Sequence, residues 1–373
     1  MNFAFTEDQL LIQDAARGWL GEFAGPAHAR KVMATKEGYD PALWQQAVAL
    51  GWTGLIVPET QGGLGLGFVE LAILMEEMGR ALYPSPFEAT VALAANALTA
   101  LGAERYLEAI AAGDITATLA AGNAIGEVTA TPVDGGYRLD GLLRHVPDGA
   151  RADLVLVAAT LDGRTALFAI EGEVAGLTRT GLATMDQTRR PAELRFEGVA
   201  LPAAALIAAD AGRALALALD RAAVALAAHA VGAAEKCLEM TVDYTKGRVQ
   251  FGRPVASFQA VKHQCADMAL AVETSRSAAY WAACVADDCG HNGDGTALAL
   301  AASGAKSWAG RAYFDCAATA IQLHGGVGFT WEYDVHLYFK NARALEAVLG
   351  DGAHHRERVA HLIGLDDLAE AAQ

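Results

Sequence analysis

Gly247-Arg-Val-Gln-Phe-Gly-Arg-Pro-Val-Ala-Ser-Phe-Gln-Ala-Val-Lys-His-Gln-Cys-Ala-Asp-Met268 breaks a long helical pattern, and Gln322-Leu-His-Gly-Gly-Val-Gly-Phe-Thr330 ends a later one. Arg248 closes the first helical run and is followed by Phe251-Gly252 and Pro254. A cation and an aromatic ring are thereby held beside a break that glycine and proline tolerate well. A planar guanidinium grips a pyrophosphate through two hydrogen bonds, and Gly325-Gly326 let backbone amides approach an anion with no Cβ in the way. The same residues also read as an ordinary helix end and an ordinary glycine turn, and spacing alone does not separate the two readings.

Working outward, helical periodicity covers 214–246, 257–287, 296–323 and 334–349, which predicts a C-terminal four-helix bundle over 206–373. Between 114 and 205 the pattern changes to short runs such as Leu154-Val-Leu-Val-Ala158 and Ala166-Leu-Phe-Ala-Ile170. Asp134-Gly-Gly136, Asp140-Gly141 and Asp162-Gly163 separate such runs and predict a small antiparallel β domain. Residues 1–113 are helical again. Thr6-Glu-Asp-Gln9 has the form of a capping box, and Val57-Pro-Glu-Thr-Gln-Gly-Gly-Leu-Gly-Leu-Gly67 and Tyr83-Pro-Ser-Pro86 are breaks. The expected fold class is therefore α+β and mostly α, in three domains.

With 373 residues, 53% of them hydrophobic, the chain can bury a large core. Its net charge of −16 argues against a nucleic-acid partner and against an anionic membrane surface. The five cysteines, Cys237, Cys265, Cys284, Cys289 and Cys316, have no zinc-ligand spacing and read as buried free thiols of a reducing, cytoplasmic setting. The first residues lack the basic head and apolar stretch of a signal peptide. The apolar region 214–234 is interrupted by Asp220, Arg221 and His229, so it reads as a buried core helix.

Taken together, the two opening segments resemble cofactor-contacting segments of the acyl-CoA dehydrogenase family of flavoproteins. Gly51-Trp-Thr-Gly-Leu-Ile-Val-Pro-Glu-Thr-Gln-Gly-Gly-Leu-Gly65 is similar to that family's N-domain loop, and Glu76-Glu-Met-Gly-Arg80 to the helix after it. The helical, β, helical plan extends the resemblance to nearly the whole chain. It implies FAD as cofactor, with Arg248, Gln250, Phe251, Gln322, Gly325, Gly326 and Asp351 as its contacts. It also implies an acyl-CoA substrate oxidised to the 2,3-enoyl-CoA, and electron-transfer flavoprotein as electron acceptor. The assembly implied is a homo-oligomer or a heterotetramer with a second acyl-CoA dehydrogenase chain.

Such chemistry needs a carboxylate with a raised pKa over the acyl chain to take the α-proton. In many members that base is a Glu directly before a Gly after the penultimate long helix. Here Ala344-Leu-Glu-Ala-Val-Leu-Gly-Asp-Gly352 places Leu349 at that position, and leucine cannot accept a proton. Glu346, three residues earlier, reads as a helix-surface residue. Other members carry the base on the first bundle helix immediately before an Arg, and the matching pair is Asp220-Arg221. On a helix Asp220 shares a face with Ala216, Leu217, Ala223 and Val224, an apolar setting in which a carboxylate must be paired, neutralised or used. Asp220 is thus the candidate base, with Arg221 positioning the acyl-CoA end. The structural alternative is a buried Asp satisfied by another element.

The β domain departs from the family. Where the family shows a Thr-Glu-Pro stretch and a Trp-Ile-Thr type strand against the flavin, this chain has Ala117-Thr-Leu-Ala-Ala-Gly-Asn-Ala-Ile-Gly126 and Leu143-Arg-His-Val-Pro147. Intact clamp residues beside altered flavin strands fit the smaller subunit of a two-component enzyme. Two other readings are a catalytically silent partner chain and a flavin-free acyl-CoA-binding scaffold. His354-His355 do not form a good single-metal site, so no metal is expected. Gly62-Gly-Leu-Gly-Leu-Gly67 follows no strand of a βαβ unit and is not a dinucleotide fingerprint. Small residues at Ala216, Ala222 and Ala223 permit a bulky, ring-bearing or branched acyl group, and are equally expected from tight helix packing.

Overall fold

The Thr6 hydroxyl accepts from the Gln9 amide at 3.2 Å, and the Gln9 side chain accepts from the Thr6 amide at 3.0 Å. This reciprocal cap starts α1 (Glu7–Phe23). The computed structural model describes residues 5–122, 125–292 and 295–365. N-terminal helices α2 (Pro26–Val32), α3 (Pro41–Ala49), α4 (Phe68–Ala81), a π-helical segment Glu88–Ala95, α5 (Asn96–Leu101) and α6 (Leu107–Ala111) follow. A central sheet and the long C-terminal helices α7 (Gly212–Gly247), α8 (Gln259–Asn292), α9 (Thr296–His324) and α10 (Val335–Ala347), with the shorter α11 (Gly352–Leu362), complete the chain. The mostly helical α+β class is as expected.

Contacts divide the chain into two compact units, one of Met1–Lys31, Phe68–Tyr83 and Ala223–Gln373, the other of Val32–Gly67 and Pro84–Ala222. In the first, α4 and α7 meet backbone to backbone. A Cβ on Gly79 would lie 2.0 Å from the His229 carbonyl oxygen, and one on Gly232 would lie 1.8 Å from that of Glu76. Around this contact runs a half-buried ionic network anchored on buried Glu76. Glu76, 2% exposed, accepts from Arg276 at 3.1 Å; Arg276 also reaches Glu235, and Arg80 joins Glu235 to Glu239. Glu77, also buried, is held by Arg17 at 2.7 Å. Burial pushes the Glu76 carboxyl above its ordinary range, against the pull of Arg276.

In the second unit the glycine-rich loop folds back on itself. Leu64 and Gly65 donate to Gly54 and Val57 carbonyls at 2.8 and 2.9 Å, and a Cβ on Gly63 would strike the Val57 oxygen. Close packing accounts for Gly63, whereas Gly62 and Gly65 take left-handed φ values of 75° and 61°. The sheet is built from β1 (Ala117–Ala120), β2 (Ile125–Val133), β3 (Gly136–Pro147), β4 (Leu154–Leu161), β5 (Arg164–Glu171), β6 (Leu177–Gly181), β7 (Pro191–Pro202) and β8 (Leu206–Ala208). Its strand order is β6-β7-β3-β2-β4-β5-β8, with β1 paired to β4. Pairing is antiparallel except where β4 runs parallel to β1 and touches β2 at Thr129–Thr160. Leu139, Val155, Val157, Phe168, Leu194 and Phe196 fill its core.

Asp134-Gly135 and Asp162-Gly163 are hairpin turns as expected, but Asp140-Gly141 is not. It lies inside β3 at a bulge against β7, where Gly141 has φ 145° and a Cβ would sit 2.2 Å from the Glu127 oxygen. Glycine inside a strand marks a bulge or a close backbone approach as readily as a turn. The expectation of buried thiols also needs correcting: Cys237 and Cys316 are buried, whereas Cys265, Cys284 and Cys289 are half-buried. Helix α7 is long and apolar enough to cross a membrane by composition, yet 78% of its most apolar window is buried in the protein.

Candidate active site

The ends of α7 and α9, which lead into the Arg248 and Gly325 segments, lie side by side. Tyr244, on the last turns of α7, stacks on His324, the last residue of α9, with ring centroids 4.3 Å apart and planes 17° from parallel. Tyr333 packs edge-on against Tyr244 at 5.7 Å. That stack carries the two motifs with it, because Arg248 follows Tyr244 by one turn and Gly325 follows His324 directly. Beyond α7 the chain makes a small hairpin of β9 (Val249–Gln250) and β10 (Arg253–Pro254), with Phe251 at φ 52° and Gly252 at φ 75°. Phe251 is 91% exposed at its tip and touches Phe258 edge-on, while Arg253 lies 4.0 Å over the Phe258 ring. Arg248, Gln250 and Gln322 are exposed too, and nothing lies within 4 Å of where a Cβ on Gly325 or Gly326 would stand.

An exposed guanidinium, two amide side chains, an exposed ring and open glycine backbone form the donor set and stacking surface that a pyrophosphate joined to an aromatic base requires. Asp351, in the same unit, caps α11 by accepting from the His354 amide at 2.9 Å. That hydrogen bond holds its carboxyl below the ordinary range.

Asp220 lies on α7 and is 5% exposed, with Arg221 half-buried beside it. The two residues before it contact other elements of the second unit. The Asn96 amide donates to the Ala218 carbonyl at 2.7 Å, which fastens the π-helical segment and α5 to α7. A Cβ on Gly122 would lie 3.1 Å from Leu219, so the loop leaving β1 passes next to the residue before Asp220. Asn123 and Ala124 of that loop lie outside the described residues. Of the apolar face expected around Asp220, Ala223 and Val224 are buried, Leu217 is half-buried and Ala216 is exposed.

Leu349 adopts φ 61°, a left-handed conformation for a branched side chain, and Gly350 follows at φ 99°. Glu346 is half-buried and paired with Arg343. Sequence reasoning missed Lys306. This lysine, 2% exposed, donates to the carbonyls of Leu345 and Glu346 at 3.2 Å and of Gly350 at 3.5 Å, completing the end of α10. An apolar helix with one lysine gives no sign of what that lysine meets. At the other altered segment, His145 stands in a left-handed conformation at a bulge between Leu143 and Val146, and Arg144 turns outward to Glu193 at 2.8 Å. Among the described residues no group of three or more His, Cys, Asp or Glu could hold a metal ion.

The family model described as acyl-CoA dehydrogenase, N-terminal domain, matches residues 6–114, and that described as acyl-CoA dehydrogenase, C-terminal domain, matches 211–363. The chain belongs to the acyl-CoA dehydrogenase family. It is similar to acyl-CoA dehydrogenase IpdE2 of Mycobacterium tuberculosis, 38% identical over 352 residues covering 92% of this chain and 93% of that one. Among solved structures, the ChsE4–ChsE5 complex from Mycobacterium tuberculosis superposes with a TM-score of 0.89 at 28% identity, over 98% of this chain and 99% of its counterpart. The Tcur3481–Tcur3483 steroid ACAD variant gives 0.86 at 30% identity, over 97% and 99%. As an acyl-CoA dehydrogenase the chain is a flavoprotein oxidoreductase whose cofactor is FAD.

Proposed function

We propose that this acyl-CoA dehydrogenase removes the α-proton of its substrate with Asp220 and works as one subunit of a heteromeric enzyme. The observation that carries the proposal is the placement of Asp220. It is a buried carboxylate on α7 beside the loop leaving β1, in a chain whose alternative position holds Leu349. Arg221 is assigned to positioning the acyl-CoA end. Arg248, Gln250, Phe251, Gln322, Gly325 and Gly326 would hold the ADP portion of FAD, and Asp351 would neighbour the flavin. Bound FAD supplies the hydride acceptor for the β-hydrogen.

Two observations support unlike subunits. The clamp is exposed and open, while the segments expected against the flavin are altered at His145 and around Gly122. Two of the similar solved structures bear paired chain names, and one is a steroid ACAD. A ring-bearing acyl-CoA is accordingly the proposed substrate class, with electron-transfer flavoprotein as electron acceptor. Segments 1–113, 114–205 and 206–373 are proposed as its domains, and the cytoplasm as its location.

Leu349 and the His145 bulge favour a second reading, a silent chain that only completes the flavin site of a partner. Asp220→Asn decides between the two. Loss of substrate-induced flavin bleaching by about a hundredfold or more, with FAD still bound, supports the base. An unchanged rate assigns the chemistry elsewhere.

A further inference from the structure

Loop 33–39, the turn after β3 and the start of β1 line a cavity of ≈ 200 Å³ in the second unit, which shares only Ala117 with the segments read above as facing the flavin. Its lining includes Lys36, Tyr39, Thr116 and Arg151, with Glu37 and Asp148 as the acids. Arg151 lines the cavity, and a second guanidinium, that of Arg190, lies beside Arg151 at Gly38 without being part of the lining. Arg151 lies 5.0 Å over the Tyr39 ring and pairs through Nη2 with Asp148, leaving its Nε and Nη1 buried without an acceptor among the described residues. Arg190 gives its Nη2 to the carbonyls of Met33 and Thr35 at 2.7 and 3.2 Å, and its Nε is likewise buried without an acceptor.

Gly38 shows how close the two cations are. A Cβ there would lie 2.2 Å from Arg190 Nε and 3.0 Å from Arg151 Nη1, which puts these nitrogens within about 5 Å of each other. One oxyanion can accept from both, since each bond needs about 2.9 Å. Burial and the neighbouring Arg151 both push the Arg190 guanidinium below its usual range, and an anion between the two would relieve that repulsion. Asp148 is engaged with Arg151, and Lys36 adds a third cation at the rim. Asp186 also acts on Arg190, so the fixed charges are near balance, and it is the free Nε and Nη1 edge of Arg151 that suits an oxyanion.

We propose that this cavity is a binding site for a small oxyanion, a carboxylate or a phosphate group, gripped by Arg151 Nε and Nη1 and Arg190 Nε. Leaving a buried donor unmade is costly, and a guanidinium whose free edge matches an oxyanion is a ready receptor. Pro86, Ala117, Ala152 and the Tyr39 ring form the apolar wall beside it, which leaves room for a short carbon chain on the anion.

Calorimetric titration of the full chain with sodium phosphate and with sodium acetate, in buffers matched with chloride, tests the site. Saturable binding of one anion per chain is expected, and the tighter of the two names the head group. Lys36→Gln should weaken binding severalfold and Arg151→Gln about tenfold or more. Because Arg151 also holds Asp148, crystals of the unsubstituted protein soaked in selenate provide a second measurement. An anomalous peak within hydrogen-bond distance of Arg151 Nη1 and Arg190 Nε supports the site. Absence of saturable binding for both anions, a peak only elsewhere, or unchanged affinity in a folded Arg151→Gln protein overturns it.

Discussion

His355 is buried at 2% exposure between Lys306, His354 and Arg358, and burial followed by those cations lowers its pKa from 6.5 to about 4. In the unfolded chain it takes a proton near 6.5, and in the folded chain only near 4. Between those values the unfolded state binds more protons, so the stability contributed by neutral His355 is complete above pH 6.5 and lost as pH falls toward 4. At most roughly 3 kcal/mol is involved. Urea unfolding at pH 7 and pH 4.5 should show a smaller drop for His355→Leu than for the unsubstituted protein, and equal drops would refute the assignment. Single residues were legible in the sequence only where chemistry and position coincide. The burial of Asp220 could be read because its helix face is largely apolar. Lys306 and Arg190 could not, since their partners are carbonyls brought in by distant segments.

At the level of elements, the contact between α4 and α7 leaves no space at Gly79. Replacing it with alanine drives a Cβ into the His229 carbonyl, a backbone atom that no rotamer change can move. Gly79→Ala should cost about 1–3 kcal/mol or more. Gly304→Ala on α9, where nothing lies within 4 Å, should be neutral or stabilising by roughly 0.5–1 kcal/mol. Thermal melts of the two proteins distinguish them, and similar midpoints would show that α4 and α7 can separate without loss. Lys306→Met should cost about 2 kcal/mol by stripping three carbonyls of a charged donor. An unchanged melt would count against that cap. Periodicity and turn chemistry made the long helices and most hairpins readable. Parallel pairing of β1 with β4 was not, because no local pattern records which strand a short apolar run will join.

For the molecule as a whole, a clamp open to solvent and altered flavin-side segments predict that the chain purified alone carries well under one FAD. Co-expression with a second acyl-CoA dehydrogenase chain should raise the flavin content, as read by absorbance. A yellow homo-oligomer with one FAD per chain would remove the need for a partner. Arg248→Ala should lower the flavin content of any assembly by about tenfold or more at limiting FAD.

Trp331 is 57% exposed close to the glycine turn, with Lys340 4.6 Å and Arg30 5.6 Å from its ring. Indole emission depends on how wet the ring is, so this side chain is a built-in lamp at the clamp end of the bundle. A partner that excludes water from this ring should move its emission to shorter wavelength, readable in a variant whose other five tryptophans are replaced by phenylalanine.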